Sequence, residues 1–333
     1  MYGGAEMHIE MIYQELLKRK FEVELIRIPY KWYPPLKILD SVLSWKLLDL
    51  TESDAKKIDL IIATKFPSWV VDHPNVVAWI FHQHRQAYDL QNTEFDDLKL
   101  NPHGEFVRKK IIEIDNRYLR KAKKIFTNSK NTSNRLLKFN NIQSEHLYVP
   151  VPNSSRFHNK EYGNYILYPS RISPLKRQDL LVDAMKYVKS DIKCIIAGYP
   201  DHKKWLEDKI RDSGIGDKIE FLTDLSDDEM VDLYSKALAV VYIPQDEDFG
   251  FVTQEAFNSE KPILTATDSG GPLEFIQDGV NGIIVEPKAE KIAIKIDELA
   301  KNLDQTKKMG KAGKETIKNL NLNWDTIIKK LTT

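Results

Sequence analysis

Pro244-Gln-Asp-Glu-Asp-Phe-Gly-Phe-Val-Thr-Gln-Glu-Ala256 decides the reading of this chain, because it sets Glu247 and Glu255 eight positions apart around Gly250. The apolar run Ala237-Leu-Ala-Val-Val-Tyr-Ile243 before it predicts a buried strand, Gly250 a turn, and Val252 to Asn258 the start of a helix. Glu247 then stands at the carboxyl end of a strand and Glu255 inside a helix. A strand, a glycine-bearing loop and a helix N-terminus make a site whose backbone N–H groups and helix dipole favour a phosphate. Two carboxylates beside it can accept hydrogen bonds from ribose and hexose hydroxyls.

The same alternation of apolar runs and helical patterns extends from end to end, which predicts parallel sheets covered by helices on both faces. Strands are expected at Glu22 to Ile28, Asp59 to Ala63, Asn75 to Phe81 and Lys124 to Asn128 in the first half. In the second half they are expected at Tyr165 to Pro169, Ile192 to Gly198, Lys218 to Leu222, Ala237 to Ile243, Pro262 to Ala266 and Gly282 to Val285. The aperiodic stretch from Pro150 to Gly163 reads as a linker, giving an α/β chain with two doubly wound domains, 1–155 and 156–318. In the last piece, 319–333, Trp324, Ile328 and Leu331 form a helical stripe capped by Asn323, which needs a surface to bury against.

The amino terminus is unusual, because Met1-Tyr2 leads straight into Gly3-Gly4 and then a helix with Ala5, Ile9, Ile12 and Leu16 on one face. A doubly wound domain begins with a strand, so either the true start lies upstream of Met1, the expectation favoured here, or this domain has a defective sheet.

With 333 residues the chain exceeds the roughly 250–300 at which single cores stop growing. Lysine plus arginine and aspartate plus glutamate number 49 each, so no net field draws it to nucleic acid. Cys194, the one cysteine, lies in an apolar run and reads as a buried thiol, which excludes a disulfide framework. No apolar stretch reaches the roughly 20 residues of a membrane span and no signal peptide is recognisable, so a cytoplasmic location is expected.

Four further segments carry candidate chemistry. Arg171 and Lys176, in Tyr168-Pro-Ser-Arg-Ile-Ser-Pro-Leu-Lys-Arg177, stand where a strand passes into a helix and can converge on a diphosphate. Asp268-Ser-Gly-Gly-Pro-Leu-Glu274 ends the strand at Pro262 to Ala266 with glycines that admit a ligand to the backbone. Gly3-Gly4 is a backbone cradle for a diphosphate. His82, at the carboxyl end of the strand Asn75 to Phe81, is placed to hydrogen-bond a substrate. His82 and His84 have no third ligand to make a metal site, and Asp246-Glu247-Asp248 is read as a chance match to a manganese-binding triplet. No metal and no cofactor are expected.

Taken in order, Arg171 with Lys176, the E-x7-E pair Glu247 and Glu255, Ser269-Gly-Gly-Pro-Leu-Glu274 and Asp278-Gly-Val-Asn-Gly282 resemble the retaining glycosyltransferases of family 4, of the group 1 type. The resemblance implies a GT-B fold, with the last helix crossing back onto the first domain. It implies metal-independent transfer of a hexose from a UDP-, GDP- or ADP-sugar to a glycan or lipid-linked acceptor. Arg171 and Lys176 would bind the diphosphate, Glu255 the ribose, and Glu247 the transferred sugar. The Gly250, Phe251 and Val252 backbone would meet sugar or phosphate, His82 would lie beside the sugar, and Gly3 and Gly4 would stand at the phosphates. The alternatives are a non-catalytic sugar-nucleotide-binding protein and a nucleotide-sugar epimerase. Glu260-Lys261 departs from the small residue and glycine common in the family before Pro262, a position of packing rather than chemistry.

Trp32 to Leu50 is dense in aromatic and apolar residues. Leu36, Leu39, Leu43, Leu47 and Leu50 have the spacing of a buried stripe, which favours a core helix over one lying on the inner membrane face.

Overall fold

Apolar runs rich in valine and isoleucine build two parallel sheets, of four and six strands, in a computed structural model that describes residues 3–199 and 201–333. Met1 and Tyr2 are outside the described residues, and with them the expected start of the glycine loop. Two compact units result: one runs to Val149 and includes Asn323–Thr333, and the other is Pro150–Leu322. The dividing points differ by a few residues from 155 and 318, because the chain after Pro150 already bonds within the second unit. The turn Ser154–Arg156 packs against the helix Phe251–Asn258, and Arg156 pairs with Asp227 and Asp228.

In the first unit the strands β1 (Ile61–Ala63), β2 (Val76–Ile80), β3 (Lys124–Thr127) and β4 (Glu145–His146) pair in that order, all parallel. Helices α1 (Gly4–Lys18), α2 (Leu36–Lys46), α3 (Gly104–Leu119) and α4 (Lys130–Asn140) accompany them. The final helix, α11 (Trp324–Thr332), is capped by Asn323, whose side chain accepts from the Thr326 amide, and it buries Ile327, Ile328 and Leu331. Arg19 at the end of α1 binds Asp325 with Nε at 3.0 Å, which ties the last helix to the first.

One expectation fails here and another holds only in part. Glu22 to Ile28 is no strand, since among the described residues β1 pairs only with β2 and nothing supplies this segment with a ladder. An apolar, β-branched run predicts extended chain, but a strand exists only where a neighbour takes up its backbone groups. The helix α2 does pack on the core, but its leucine stripe splits: Leu50 is buried and Leu39 packs inward, while Leu36, Leu43 and Leu47 are 39%, 56% and 75% exposed. Ile38 and Ser41 are buried instead, with Val42 and Trp45 packed against the core. Both faces of this helix are apolar, so the spacing of leucines could not choose between them.

The second unit follows the sequence closely. Its strands are β5 (Tyr165–Pro169), β6 (Lys193–Ala197), β7 (Ile219–Leu222), β8 (Ala239–Val241), β9 (Ile263–Ala266) and β10 (Gly282–Val285). They lie in the order β10-β9-β8-β5-β6-β7, all parallel. The chain winds outward from β5 one way and, after β7, outward from β8 the other. This reversal between β5 and β8 leaves a crevice at their carboxyl ends, the place where open parallel sheets bind ligands. The helices are α5 (Gln178–Met185), α6 (Lys203–Ser213), α7 (Asp227–Lys236), α8 (Phe251–Asn258), α9 (Ala289–Lys301) and α10 (Leu303–Asn319). Cys194 is fully buried, and burial pushes its thiol pKa far up, in keeping with an inert packing role. Lys261 is also buried: its Nζ meets Asn159 Oδ1 at 2.5 Å and the Glu161 carbonyl, fastening the 159–162 segment to this unit. No helix among the described residues is long and apolar enough to cross a membrane.

Candidate functional site

Three loops leave the carboxyl ends of β5, β8 and β9 and lock together through their backbones. The Gln245 amide donates to the Leu175 carbonyl at 2.8 Å, which joins the β5 loop to the β8 loop. The amides of Asp246 and Glu247 donate to the carbonyls of Asp268 and Ser269, both at 2.9 Å, and the Gly271 amide returns to the Glu247 carbonyl at 2.8 Å. Side chains add a second tie. Arg177, in the left-handed region at φ 56°, grips Asp268 through two parallel bonds of 2.8 Å. A non-glycine residue held there next to a candidate site residue is the kind of local strain found where geometry is overdetermined.

Lys176 and Glu247 face each other across the reversal between β5 and β8 and form an ion pair. Lys176 ends a short turn, Pro174–Lys176, two residues before α5, and its Nζ also donates to the Tyr242 hydroxyl at 3.2 Å. Gly250, at φ 81°, opens α8, which leaves the first amides of Phe251 and Val252 at a helix N-terminus. A Cβ at Gly250 would stand 2.9 Å from Tyr242 and 3.2 Å from Pro272, so no other residue fits without moving them. Gly271 is as constrained, with Asp248 and Phe249 backbone atoms 2.7 and 2.8 Å from a Cβ. The glycines let three loops approach closely enough to interlock.

Glu255 sits one turn into α8 and does not join the Lys176 pair. It accepts a 2.5 Å hydrogen bond from the Tyr234 hydroxyl. Burial pushes its carboxyl up to about 7, with Asp227 adding to the rise. Such a group tends to stay protonated until hydroxyl donors or solvent reach it. The Arg171 side chain is about half exposed, and its Nε lies 3.9 Å from Asp201. The β5 loop that carries it is held by Gln178, which donates to the Arg171 carbonyl at 2.9 Å.

The first unit supplies the remaining candidates. His82 follows β2, and its Nδ1 lies 3.1 Å from the Gln83 carbonyl, which can only accept, so Nδ1 is the donor of this bond. Below this loop runs a buried polar chain from Gln83 to Asn140, Tyr88, Asp115 and Trp69, with links of 2.8, 3.2, 2.6 and 3.0 Å. Gly3 caps α1, and its amide is taken by Glu6 Oε2 at 3.0 Å, so a carboxylate already stands at this helix start. Glu6 is in turn paired with Lys65.

Sequence reasoning missed Tyr168, Tyr234, Tyr242 and the Arg177–Asp268 pair. The tyrosines lie in strands and helices where an aromatic reads as core. Arg177 and Asp268 are 91 positions apart, and nothing local joins them.

Residues 152–316, nearly all of the second unit, match the glycosyl transferases group 1 family. The chain is 31% identical over 118 residues to the alpha-1,3/1,6-mannosyltransferase ALG2 of Homo sapiens, covering 35% of this chain and 28% of that protein. It is 28% identical over 173 residues to a GDP-mannose-dependent alpha-(1-6)-phosphatidylinositol monomannoside mannosyltransferase of Mycobacterium tuberculosis, covering 49% and 44%. The matches span less than half the length of these curated relatives. Among solved structures, a sucrose-phosphate synthase of Thermosynechococcus elongatus aligns over 99% of this chain and 92% of its own, at 17% identity and a TM-score of 0.80. Anabaena HepE in complex with UDP and glucose aligns over 99% and 95%, at 17% identity and 0.69. The fold is the GT-B fold that the resemblance implied. Its second unit, which holds this match, is a group 1 glycosyl transferase domain.

Proposed function

We propose that this chain is a retaining, metal-independent hexosyltransferase of family 4 that moves a hexose from a nucleotide-sugar donor to a glycan or lipid-linked acceptor. The observation that carries the reading is the Lys176–Glu247 pair, set across the sheet reversal beside the Gly250 helix start. Relatives named as mannosyltransferases, one of them GDP-mannose-dependent, make GDP-mannose the first donor to test.

Breaking the anomeric C–O bond sends its electron pair to the diphosphate and leaves positive charge on the sugar. Lys176, Arg171 and the α8 amides supply the fixed positive field that the departing diphosphate needs. Glu247 accepts from hydroxyls of the transferred sugar and Glu255 from those of the ribose. The acceptor hydroxyl bonds to the same face of the anomeric carbon and gives its proton to the leaving phosphate oxygen. By the family resemblance, His82 and Gly3-Gly4 are the first unit's candidates for the sugar and the phosphates. Incubation of the full chain with GDP-mannose tests this: release of GDP supports it, binding without cleavage favours a non-catalytic protein, and an isomerised donor an epimerase.

Glu255 gives a second test. Its folded pKa lies above its unfolded value of 4.5, so the folded state binds more protons between the two. Stability is therefore lost as pH rises from about 4.5 to about 7, then levels off. Glu255→Gln should melt with the wild type at pH 5 and above it at pH 8, while binding GDP more weakly. An unchanged GDP affinity counts against the ribose role.

The exposed Leu36, Leu43 and Leu47, with exposed Trp32 and Tyr33 and three lysines at 31, 37 and 46, support a lipid-linked acceptor met at a membrane surface. Flotation with phosphatidylglycerol vesicles checks it. The full chain should float, Leu43→Asp should not, and equal behaviour of both removes the membrane from the account.

A further inference from the structure

Two buried tyrosines, one on β5 and one just past the neighbouring β8, hold Lys176 from both ends. Tyr168 on β5 donates its hydroxyl to the Lys176 carbonyl and accepts from the Ile243 amide at 3.4 Å. Tyr242, just past β8, presents its hydroxyl to Lys176 Nζ at 3.2 Å and also hydrogen-bonds Glu247. The ammonium lies 5.6 Å from the Tyr242 ring centroid, and the two rings are 6.1 Å apart. Tyr168 is fully buried and Tyr242 nearly so, so neither is a surface group available for substrate. Phenylalanine would fill the same space, and a buried hydroxyl is unfavourable unless it is hydrogen-bonded. The hydroxyls are therefore kept for what they hold.

We propose that Tyr168 and Tyr242 are positioning residues, which fix the backbone and the ammonium of Lys176 and, through Tyr242, the Glu247 carboxylate. Lysine is a point charge on a flexible four-carbon stem, and its field lowers a barrier only where it is preorganised. Tyr168 sets where the stem begins; Tyr242 sets where the charge ends. Burial, then the adjacent Glu247 carboxylate, keeps Tyr242 protonated, so its hydroxyl can donate to Glu247 while accepting from Lys176. The same ring closes on Gly250, which is why the ring must be retained when the hydroxyl is tested.

The proposal rests on the reading of Lys176 as the cation that meets the leaving diphosphate, and a double-mutant cycle separates the two. GDP release from GDP-mannose by the full chain is measured for Tyr242→Phe, Lys176→Ala and the double variant. Tyr242→Phe should lower kcat about tenfold with KM changed by less than about twofold, and should have almost no effect once Lys176 is alanine. Tyr168→Phe should follow the same pattern, and both single variants should melt within a few degrees of the wild type. Equal losses in both backgrounds, or wild-type kcat in Tyr242→Phe, would overturn the proposal and leave the Lys176 reading standing. Wild-type turnover in Lys176→Ala would overturn that reading itself.

Discussion

Lys176→Ala lowers the rate of donor cleavage by about 10²–10³, the loss typical of removing one preorganised group from a developing negative charge. The effect falls on kcat, since Glu255 and the α8 amides still hold the nucleotide in the proposed arrangement. Lys176→Arg does not restore the rate, because the Tyr242 hydroxyl and Glu247 surround a compact ammonium and a planar fork does not fit those two partners. Glu247→Gln is informative beside it. It removes the countercharge on Lys176 while keeping the side chain's shape, so a fall in rate there reports contact with sugar hydroxyls rather than loss of the cation. Steady-state GDP release from GDP-mannose measures all three, and a Lys176→Ala rate within twofold of wild type contradicts the assigned site.

Arg108→Ala destabilises the first unit by about 3–5 kcal/mol, the cost of stranding a buried charge. Arg108 Nη2 meets both oxygens of Asp96 at 2.8 and 2.9 Å, Nε meets Glu105 at 3.0 Å, and Nη1 donates to the Gln86 carbonyl. Both side chains of the Arg108–Asp96 pair are almost wholly buried. Burial alone would raise the Asp96 pKa, but Arg108 and the amides of Asn92 and Lys99 more than offset it and hold the carboxyl below its ordinary value. The pair thus contributes stability above the usual aspartate range, and that contribution is lost as pH falls through the lowered pKa. Urea unfolding of the full chain at pH 7 checks the size of the effect. Replacing both partners at once, Asp96→Leu with Arg108→Met, should recover much of the loss; a single-variant cost under about 1 kcal/mol would show the pair to be ornamental.

The second unit was legible because its signals are local. Short apolar runs separated by turn residues and helical patterns mark β5 to β10, and the spacing of Glu247, Gly250 and Glu255 around a strand end follows from residue counts alone. The helix at Phe251–Asn258 and the cap at Asn323 were readable for the same reason. What failed depended on neighbours. Glu22 to Ile28 has the composition of a strand but no ladder beside it, and composition cannot supply one. In α2, both faces are apolar, and only the packing of Ile38, Val42 and Trp45 on the first core decides that Leu36, Leu43 and Leu47 face outward. The supports of the site were hidden more deeply. Arg177 finds Asp268, and Tyr242 finds Lys176, only when β5, β8 and β9 lie side by side. A sequence names the groups that touch a ligand more readily than the groups that hold them.

In the proposed arrangement the second unit holds a nucleotide sugar between Lys176, Glu247 and Glu255 without a metal ion. Isothermal titration of the full chain with GDP-mannose, UDP-glucose and ADP-glucose in EDTA tests it most directly, with Glu255→Ala titrated alongside. Saturable binding of one nucleotide class, undiminished by EDTA and weakened by Glu255→Ala, is the expected result. Binding that appears only when a divalent ion is added, or that is unchanged in Glu255→Ala, would contradict it.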